Sequence, residues 1–151
     1  MAYTDVDKVA EYARNLDVRN GELAAITPAQ LQVYVDDADT IVNARLVHAY
    51  YVPLKQITRS GVTKYPDPIP LIATKIAAAN ACRSVFSRID PQASAVAEQH
   101  LTDAMRELDK FTNGTFQGSN RLEGQIMKAR NFFVNPYVAP LDPPQRRMGS
   151  Q

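Results

Sequence analysis

Helix signals fill the first 114 residues of this 151-residue chain and fade after Gly114. Four segments before that point combine apolar residues at helical spacing with a capping residue or a proline at their start. The remainder, Thr115–Gln151, carries four of the ten prolines, and each proline removes a backbone donor that a helix interior needs. The contrast predicts a helical body over residues 1–114 and an extended C-terminal arm over residues 115–151.

The sharpest local signal is Thr27-Pro28-Ala29-Gln30. Thr27 is the expected N-cap, Pro28 occupies the first helical position, and Gln30 closes a capping box. The second helix is therefore predicted to begin here, to continue to about His48 and to end before Pro53.

Similar signals place the other three helices. The first opens at Thr4 or Asp5, which are suitable N-caps, and stops at Asn20-Gly21. The third restarts at Asp67-Pro68-Ile69-Pro70 and runs to near Ile89; it is rich in alanine and apolar nearly all round, which is typical of a central helix. The fourth follows the cap-plus-proline pair Asp90-Pro91 and extends to about Thr112.

Residues 50–67, between the second and third helices, lack helical periodicity. Lys55–Thr58 reads as extended, Arg59-Ser60-Gly61 as a turn, and Val62–Tyr65 as a returning strand. The whole pattern predicts a mainly α fold: a small four-helix bundle with a short hairpin or projecting loop between helices 2 and 3 and an extended C-terminal arm.

The arm combines prolines with many apolar and aromatic residues. Purely disordered tails lack that apolar content. A short helix over Arg121–Ala129 fits the spacing of Leu122 and Ile126, although Gly124 weakens it. We expect the arm to bury its side chains on another chain. The alternative is that it folds back over its own bundle.

Composition and motifs narrow the classes of function. The formal net charge is +1, without the dense basic stripe of a protein that grips nucleic acid. Cys82 is the single cysteine, so neither an intrachain disulfide nor a cysteine-based zinc site is expected. No basic region followed by an apolar run marks a secretory signal, and the apolar stretch around Leu71–Ala81 is too interrupted to span a membrane.

No catalytic or metal-binding pattern stands out. His48 and His100 have no ligand partner at metal-binding spacing. Asp36, Asp37 and Asp39 would point in different directions on a helix, which favours a solvated face or a partner for basic residues of a neighbour. Neither a nucleophile elbow nor a phosphate-binding loop is present. The sequence predicts no enzyme, no cofactor and no metal.

Two groups of residues are candidate contact elements. The first lies on the hairpin and consists of Arg59, Lys64 and Tyr65, because loops on rigid scaffolds commonly carry binding; the alternative is a solvated loop. The second lies on the arm, since aromatic and arginine anchors dominate interface energetics. Its members are Arg121, Arg130, Phe132, Phe133 and Tyr137.

Several phrases of the sequence resemble one known family. They are Met-Ala-Tyr-Thr-Asp-Val at the start, Thr-Pro-Ala-Gln-Leu at the second helix, residues 44–54, residues 70–77, and residues 103–114 at the end of the fourth helix. This order and spacing, over residues 1–118, resembles the head–tail connector (adaptor, or head-completion) proteins of tailed bacteriophages. Residues after Gly118 depart from the resemblance.

The resemblance implies a structural subunit, made in the host cytoplasm and located in the neck of the virion. Such subunits form a ring, typically of twelve copies, beneath the portal protein, and the ring extends the DNA channel toward the tail. The implied partners are the portal, neighbouring copies and the next tail or neck component, with DNA passing through without specific binding and no membrane involved. We expect a chain lacking residues 115–151 to keep its helical body and to lose incorporation.

A different class of function is a small helical DNA-binding or regulatory adaptor. Lys75, Arg83 and Arg88 on the third helix are its candidate contacts. Their wide spacing on an otherwise apolar helix disfavours it, and a steep salt dependence of DNA binding would support it.

Overall fold

The computed structural model describes residues 2–13, 25–87, 89–112 and 121–128, and these ranges form a mainly helical fold. The elements, in chain order, are α1 (Val6–Tyr12), α2 (Pro28–Leu46), β1 (Ile57–Arg59), β2 (Val62–Lys64), α3 (Ile69–Phe86) and α4 (Pro91–Thr112). The predicted fold class is confirmed: four helices pack together, and a two-stranded hairpin joins α2 to α3.

Side-chain caps fix the starts of three helices. Asp5 accepts the Lys8 N–H at 2.8 Å ahead of α1. Ahead of α2, the predicted capping box is present, with the Gln30 N–H donating to Thr27 Oγ1 (3.2 Å) and the Thr27 N–H donating to Gln30 Oε1 (3.0 Å). Asp90 Oδ1 accepts two N–H groups in the first turn of α4. Local chemistry therefore sets these boundaries.

The other helix boundaries shift by a few residues from the predicted ones. The second helix ends at Leu46 rather than His48. The third helix begins at Ile69, and the Asp67 carboxylate accepts a hydrogen bond from the Lys64 ammonium instead of capping that helix. The peptide bonds before Pro53 and Pro68 are cis. The first helix ends at Tyr12, and Ala13 already has non-helical backbone angles (φ −91°, ψ 61°), so the expected continuation to a stop at Asn20-Gly21 is wrong. Asn20 and Gly21 themselves lie outside the described residues.

Helix α3 is the centre of the bundle. It contacts α1, α2 and α4, which confirms its predicted central position. Its buried side chains are mostly small: Ile69, Ile72, Ala73, Thr74, Ile76, Ala77, Ala78, Ala79 and Ala81. Because alanine side chains are short, neighbouring helices can approach α3 closely and pack against it.

The predicted hairpin is present, except that Arg59, expected in the turn, is the last residue of β1. Ile57 pairs with Lys64, Thr58 with Thr63, and Arg59 with Val62. Both turn residues have positive φ, 50° at Ser60 and 79° at Gly61. A two-residue turn of this kind matches the right-handed twist of the flanking strands, which explains why so short a hairpin forms.

Among the described ranges, no helix is both long and apolar enough to cross a membrane.

Replacing Thr27 with Ala should lower the free energy of unfolding by about 1 kcal/mol, because it leaves the Gln30 N–H without its cap. Urea denaturation followed by circular dichroism measures this. Thr102→Ala is the matched control, since this exposed hydroxyl bonds only the Glu98 carbonyl of its own helix. Equal losses in the two variants would contradict a specific role for the cap.

Candidate interaction surface

Residues 121–128, here called the C-terminal clasp, pack on the helical body of their own chain. Leu122 is only 1% exposed, and its N–H donates to the hydroxyl of buried Tyr50 at 3.1 Å. The short helix that the spacing allowed over Arg121–Ala129 is not formed by residues 121–128, the part of it that the structure describes. A turn lies at Glu123-Gly124, and an antiparallel bridge joins Met127 to Tyr50. Gly124, at φ 67°, adopts a conformation that a helix interior does not contain.

The clasp runs antiparallel to residues 49–55 and bonds to them at several points. The Lys128 N–H donates to the Ala49 carbonyl (2.9 Å), and the Tyr51 N–H donates to the Ile126 carbonyl (3.4 Å). The Gln125 amide is buried and bonds both the N–H and the carbonyl of Lys55, at 2.8 and 2.7 Å. The clasp therefore satisfies backbone groups that follow α2 and have no helical partner.

The clasp also contacts the hairpin. The Arg59 guanidinium pairs with the Glu123 carboxylate, and Gly124 lies against the Ile57 side chain. The ion pair is exposed, so its own contribution to stability is small. Its position nevertheless shows that Arg59, predicted to reach another molecule, is engaged by its own chain.

The other predicted contact residues have varied surroundings. Lys64 is exposed and pairs with Asp67 at 2.6 Å. Tyr65 was expected on the exposed hairpin but is 7% exposed, with its ring edge-on to Tyr3 and the ring centroids 4.8 Å apart. It packs as part of the core because it lies just after β2, where the chain returns to the bundle. Arg121 is exposed at the start of the clasp.

The remaining arm residues, Arg130, Phe132, Phe133 and Tyr137, lie outside the described residues. The expectation that apolar side chains after Thr115 rely on a second molecule does not hold for Leu122, which this chain buries itself.

An exposed patch at the edge of the clasp was missed by sequence reasoning. Tyr51 and Ile126 are each 60% exposed and are joined through their backbones, and the Lys128 ammonium lies 5.6 Å from the centroid of the Tyr51 ring. These three residues are called the Tyr51 patch. The available signal was the pair Tyr50-Tyr51: in extended backbone, consecutive side chains point to opposite faces, so one tyrosine is buried and the other exposed.

A second buried tyrosine holds the root of the hairpin. The Tyr3 hydroxyl accepts the Leu54 N–H (2.9 Å) and donates to Asn43 Oδ1, while the Tyr3 N–H donates to Asp39 Oδ1 (2.9 Å). The hydroxyls of Thr4 and Thr74 are 2.6 Å apart in the core. Residues 3 and 4 thereby connect α2, α3 and the segment leading into β1.

The Asp39 carboxylate is perturbed by this setting. Burial raises its pKa above the usual range, the hydrogen bond from the Tyr3 N–H opposes that shift, and the nearby charge of Asp36 adds to it. Asp36 and Asp37 are exposed, so the expected solvated face holds for them but not for half-buried Asp39.

The described residues provide little for chemistry. Within them, no group of three His, Cys, Asp or Glu side chains is placed to hold a metal ion. His48 and His100 are exposed, and burial raises the pKa of the Cys82 thiol, which disfavours the reactive thiolate.

Comparison with models of known protein families, with curated proteins and with solved structures found no match.

Replacing Gly124 with Ala should destabilise the protein more than replacing Gly61 with Ala. Both positions have positive φ. A Cβ at Gly124 would lie 2.5 Å from Ile57 Cγ2, whereas a Cβ at Gly61 would have no described atom within 4 Å. Strain in φ should cost each variant about 1 kcal/mol, and crowding should cost G124A about 1 kcal/mol more. Urea denaturation measures both losses. If G124A lost no more than G61A, the clasp would not be packed against β1.

Replacing Asp39 with Asn should become more stabilising, relative to wild type, as pH rises from 3 to 7. The folded-state pKa of Asp39 is raised, so its favourable contribution is present below the ordinary value of 3.8 and is lost as pH rises through the folded value. Asn cannot ionise, yet its Oδ1 can still accept the Tyr3 N–H.

Urea denaturation at several pH values measures this difference. Asp37→Asn is the matched control, because it removes one exposed charge from the same helix. The difference in the free energy of unfolding between D39N and wild type is corrected by subtracting the effect of the control. If this corrected difference stayed constant with pH or changed in the opposite direction, burial would not raise the pKa of Asp39.

Proposed function

We propose that this protein is a structural subunit of a bacteriophage head–tail connector ring. It docks beneath the portal protein and extends the DNA channel toward the tail, in the neck of the virion. The observation that carries the proposal is an exposed aromatic and apolar patch on a firmly anchored non-helical surface. The resemblance of residues 1–118 to connector proteins supports the same conclusion.

Anchoring gives this surface its value for assembly. The hairpin and clasp are non-helical, yet two buried tyrosine hydroxyls, those of Tyr3 and Tyr50, bond their backbones to the bundle. A surface held in one conformation loses little conformational entropy when it binds. It is therefore suited to repeated, identical contacts around a ring.

The chemistry of the Tyr51 patch is that of an interface. Tyrosine supplies a large, rigid contact area with few rotatable bonds, and Ile126 adds apolar area beside it. Val62, 61% exposed, adds a further apolar side chain at the end of the hairpin. We assign these residues to contact with the portal or with a neighbouring copy.

Symmetry turns modest contacts into a stable assembly. A head-to-tail contact that closes after one rotation generates a ring. When many copies engage the portal together, the combined attachment far exceeds that of one subunit. The next tail or neck component binds the other side of the ring, and no membrane takes part.

The charge of the chain agrees with a channel through which DNA passes. A net charge of +1 provides no dense field to retain phosphates, whereas a strongly basic wall would hold DNA in a salt-dependent manner.

The DNA-binding alternative loses one of its three candidate contacts. The Lys75 ammonium is only partly exposed and pairs with Glu107 at 3.1 and 3.3 Å. Arg83 is exposed on α3, and Arg88 lies outside the described residues. A lysine engaged by its own chain makes a poor phosphate ligand, and this ion pair disfavours the DNA-binding alternative.

The clasp changes where an arm deletion should begin. Removing residues 115–151 would take away Leu122 and Gln125 and leave the Tyr50 hydroxyl and the Lys55 backbone without their partners. A deletion that begins after Lys128 removes the rest of the arm, residues 129–151, and retains the clasp.

A double variant, Tyr51→Ala with Ile126→Ala, should bind the portal about 30-fold more weakly while keeping its melting temperature within a few degrees, because aromatic anchors at interfaces contribute about 2 kcal/mol or more. Copurification with the portal of the same phage, and incorporation into particles that lack the connector, measure the effect.

Val96→Ala is the matched control, because Val96 is an apolar side chain 56% exposed on α4. Retained portal binding by the double variant would exclude the Tyr51 patch from the interface. A wild-type chain that neither binds the portal nor enters particles would refute the connector role.

A further inference from the structure

The β1–β2 hairpin projects from the body of the protein. Residues 58–64 are all exposed, and Ile57 is half-buried. The two strands pack chiefly on each other, whereas the helices pack on one another. A two-stranded hairpin by itself is only marginally stable in water. The hairpin therefore depends on contacts at its base, where residues 54–55 lead into it and Tyr65 leads out of it.

The segment that leads into the hairpin is bonded by two residues that are remote in sequence from each other. The Leu54 N–H donates to the Tyr3 hydroxyl at 2.9 Å, and the Lys55 N–H donates to Gln125 Oε1 at 2.8 Å. The Gln125 amide also donates to the Lys55 carbonyl at 2.7 Å. Two adjacent residues are thus held by two different elements, the N-terminal segment and the clasp.

Tyr3 also contacts the segment that leads out of the hairpin. Its ring lies edge-on to the ring of buried Tyr65, with 4.8 Å between the ring centroids. Tyr3 therefore touches both ends of the hairpin, through its hydroxyl on one side and through its ring on the other. A change that removes only the hydroxyl releases the first contact and keeps the second.

The other contacts between the hairpin and the clasp are weaker. The side chains of the Arg59–Glu123 ion pair are 69% and 48% exposed, and exposed ion pairs contribute little to stability. The contact of Ile57 with Gly124 involves no side chain of the clasp. The hydrogen bonds to Leu54 and Lys55 are therefore the principal attachments of the segment that enters the hairpin.

We propose that residues 54–55 are a hinge and that the Tyr3 hydroxyl and the Gln125 amide are its two locks. When both locks are released, the hairpin detaches as one unit while the four helices stay packed. Local openings of this kind need less free energy than global unfolding, because few buried contacts are lost. Val62, assigned above to contact with a partner, lies on this unit. The inference goes beyond the connector role, since it concerns movement within the isolated subunit.

Hydrogen exchange of the backbone amides, followed by NMR on the full-length chain, tests the proposal. A detached hairpin loses its cross-strand bonds, so exchange at residues 57–64 reports the release. Tyr3→Phe removes one hydrogen bond to the hinge and should accelerate this exchange about fivefold. Gln125→Leu removes two such bonds and should accelerate it about 20-fold. The double variant should show about 100-fold, because both locks break in the same opening and their effects add.

Each lock has a matched control. Tyr34→Phe removes a hydroxyl from half-buried Tyr34 on α2, and Gln99→Leu removes an exposed amide that bonds Asp103 on α4. Both controls should leave exchange at residues 57–64 unchanged. Circular dichroism establishes that each variant is folded, and Tyr3→Phe alone tests the proposal if the double variant does not fold.

A distance measurement separates movement of the hairpin from fraying of its strands. Spin labels are attached to Val62→Cys and Val96→Cys, with Cys82→Ala removing the native thiol, and double electron–electron resonance gives the distribution of distances. The distribution should be narrow with both locks intact and broad in the double variant. Labels at Val33→Cys and Val96→Cys, two exposed sites on α2 and α4, are the control and should give the same distribution in both backgrounds.

Three results would overturn the proposal. They are unchanged exchange at residues 57–64 in either lock variant, equal acceleration at the helix amides, which would indicate global unfolding, and a narrow distribution from Val62 in the double variant. Because no portal is present, none of these measurements bears on portal binding. The connector role and the hinge can therefore fail separately.

Discussion

Two buried tyrosine hydroxyls hold the non-helical parts of this protein to its helices. Tyr3 accepts the N–H of Leu54 ahead of the hairpin, and Tyr50 accepts the N–H of Leu122 in the clasp. A hydroxyl and an amide buried without partners would each carry a desolvation penalty, so these two bonds satisfy four polar groups at once. The rings themselves fill the core, which makes both anchors part of the packing.

The exposed surface follows from these anchors. With Tyr50 buried, the extended backbone turns Tyr51 outward, and the antiparallel clasp brings Ile126 and Lys128 beside it. The surface assigned to partners thus depends on one short bridge between residues far apart in sequence.

Sequence reasoning was most successful where local chemistry decides the outcome. The capping box at Thr27 was predicted, and so was a turn at Arg59-Ser60-Gly61, of which Ser60-Gly61 form the observed turn. Their residues satisfy or permit a particular backbone conformation without help from the rest of the chain. It was least successful where a distant segment decides. Tyr65 was assigned to an exposed loop, but the ring of Tyr3, which is far from it in sequence, packs against it. A short helix over residues 121–129 fitted the spacing, but residues 121–128 instead pair with the backbone that follows α2 and form the clasp.

The sequence by itself determined the four helices, the side-chain caps of three of them and the central place of the alanine-rich α3, because these depend on side-chain period and on bonds within a single turn. Only the tertiary structure decided which of two adjacent tyrosines is exposed, that Arg59 pairs with Glu123, and that α2 and α4 leave a furrow between them. These features arise from contacts between residues that are remote in the chain. The apolar periodicity of one helix or strand does not predict which other segment will pack against its outer face.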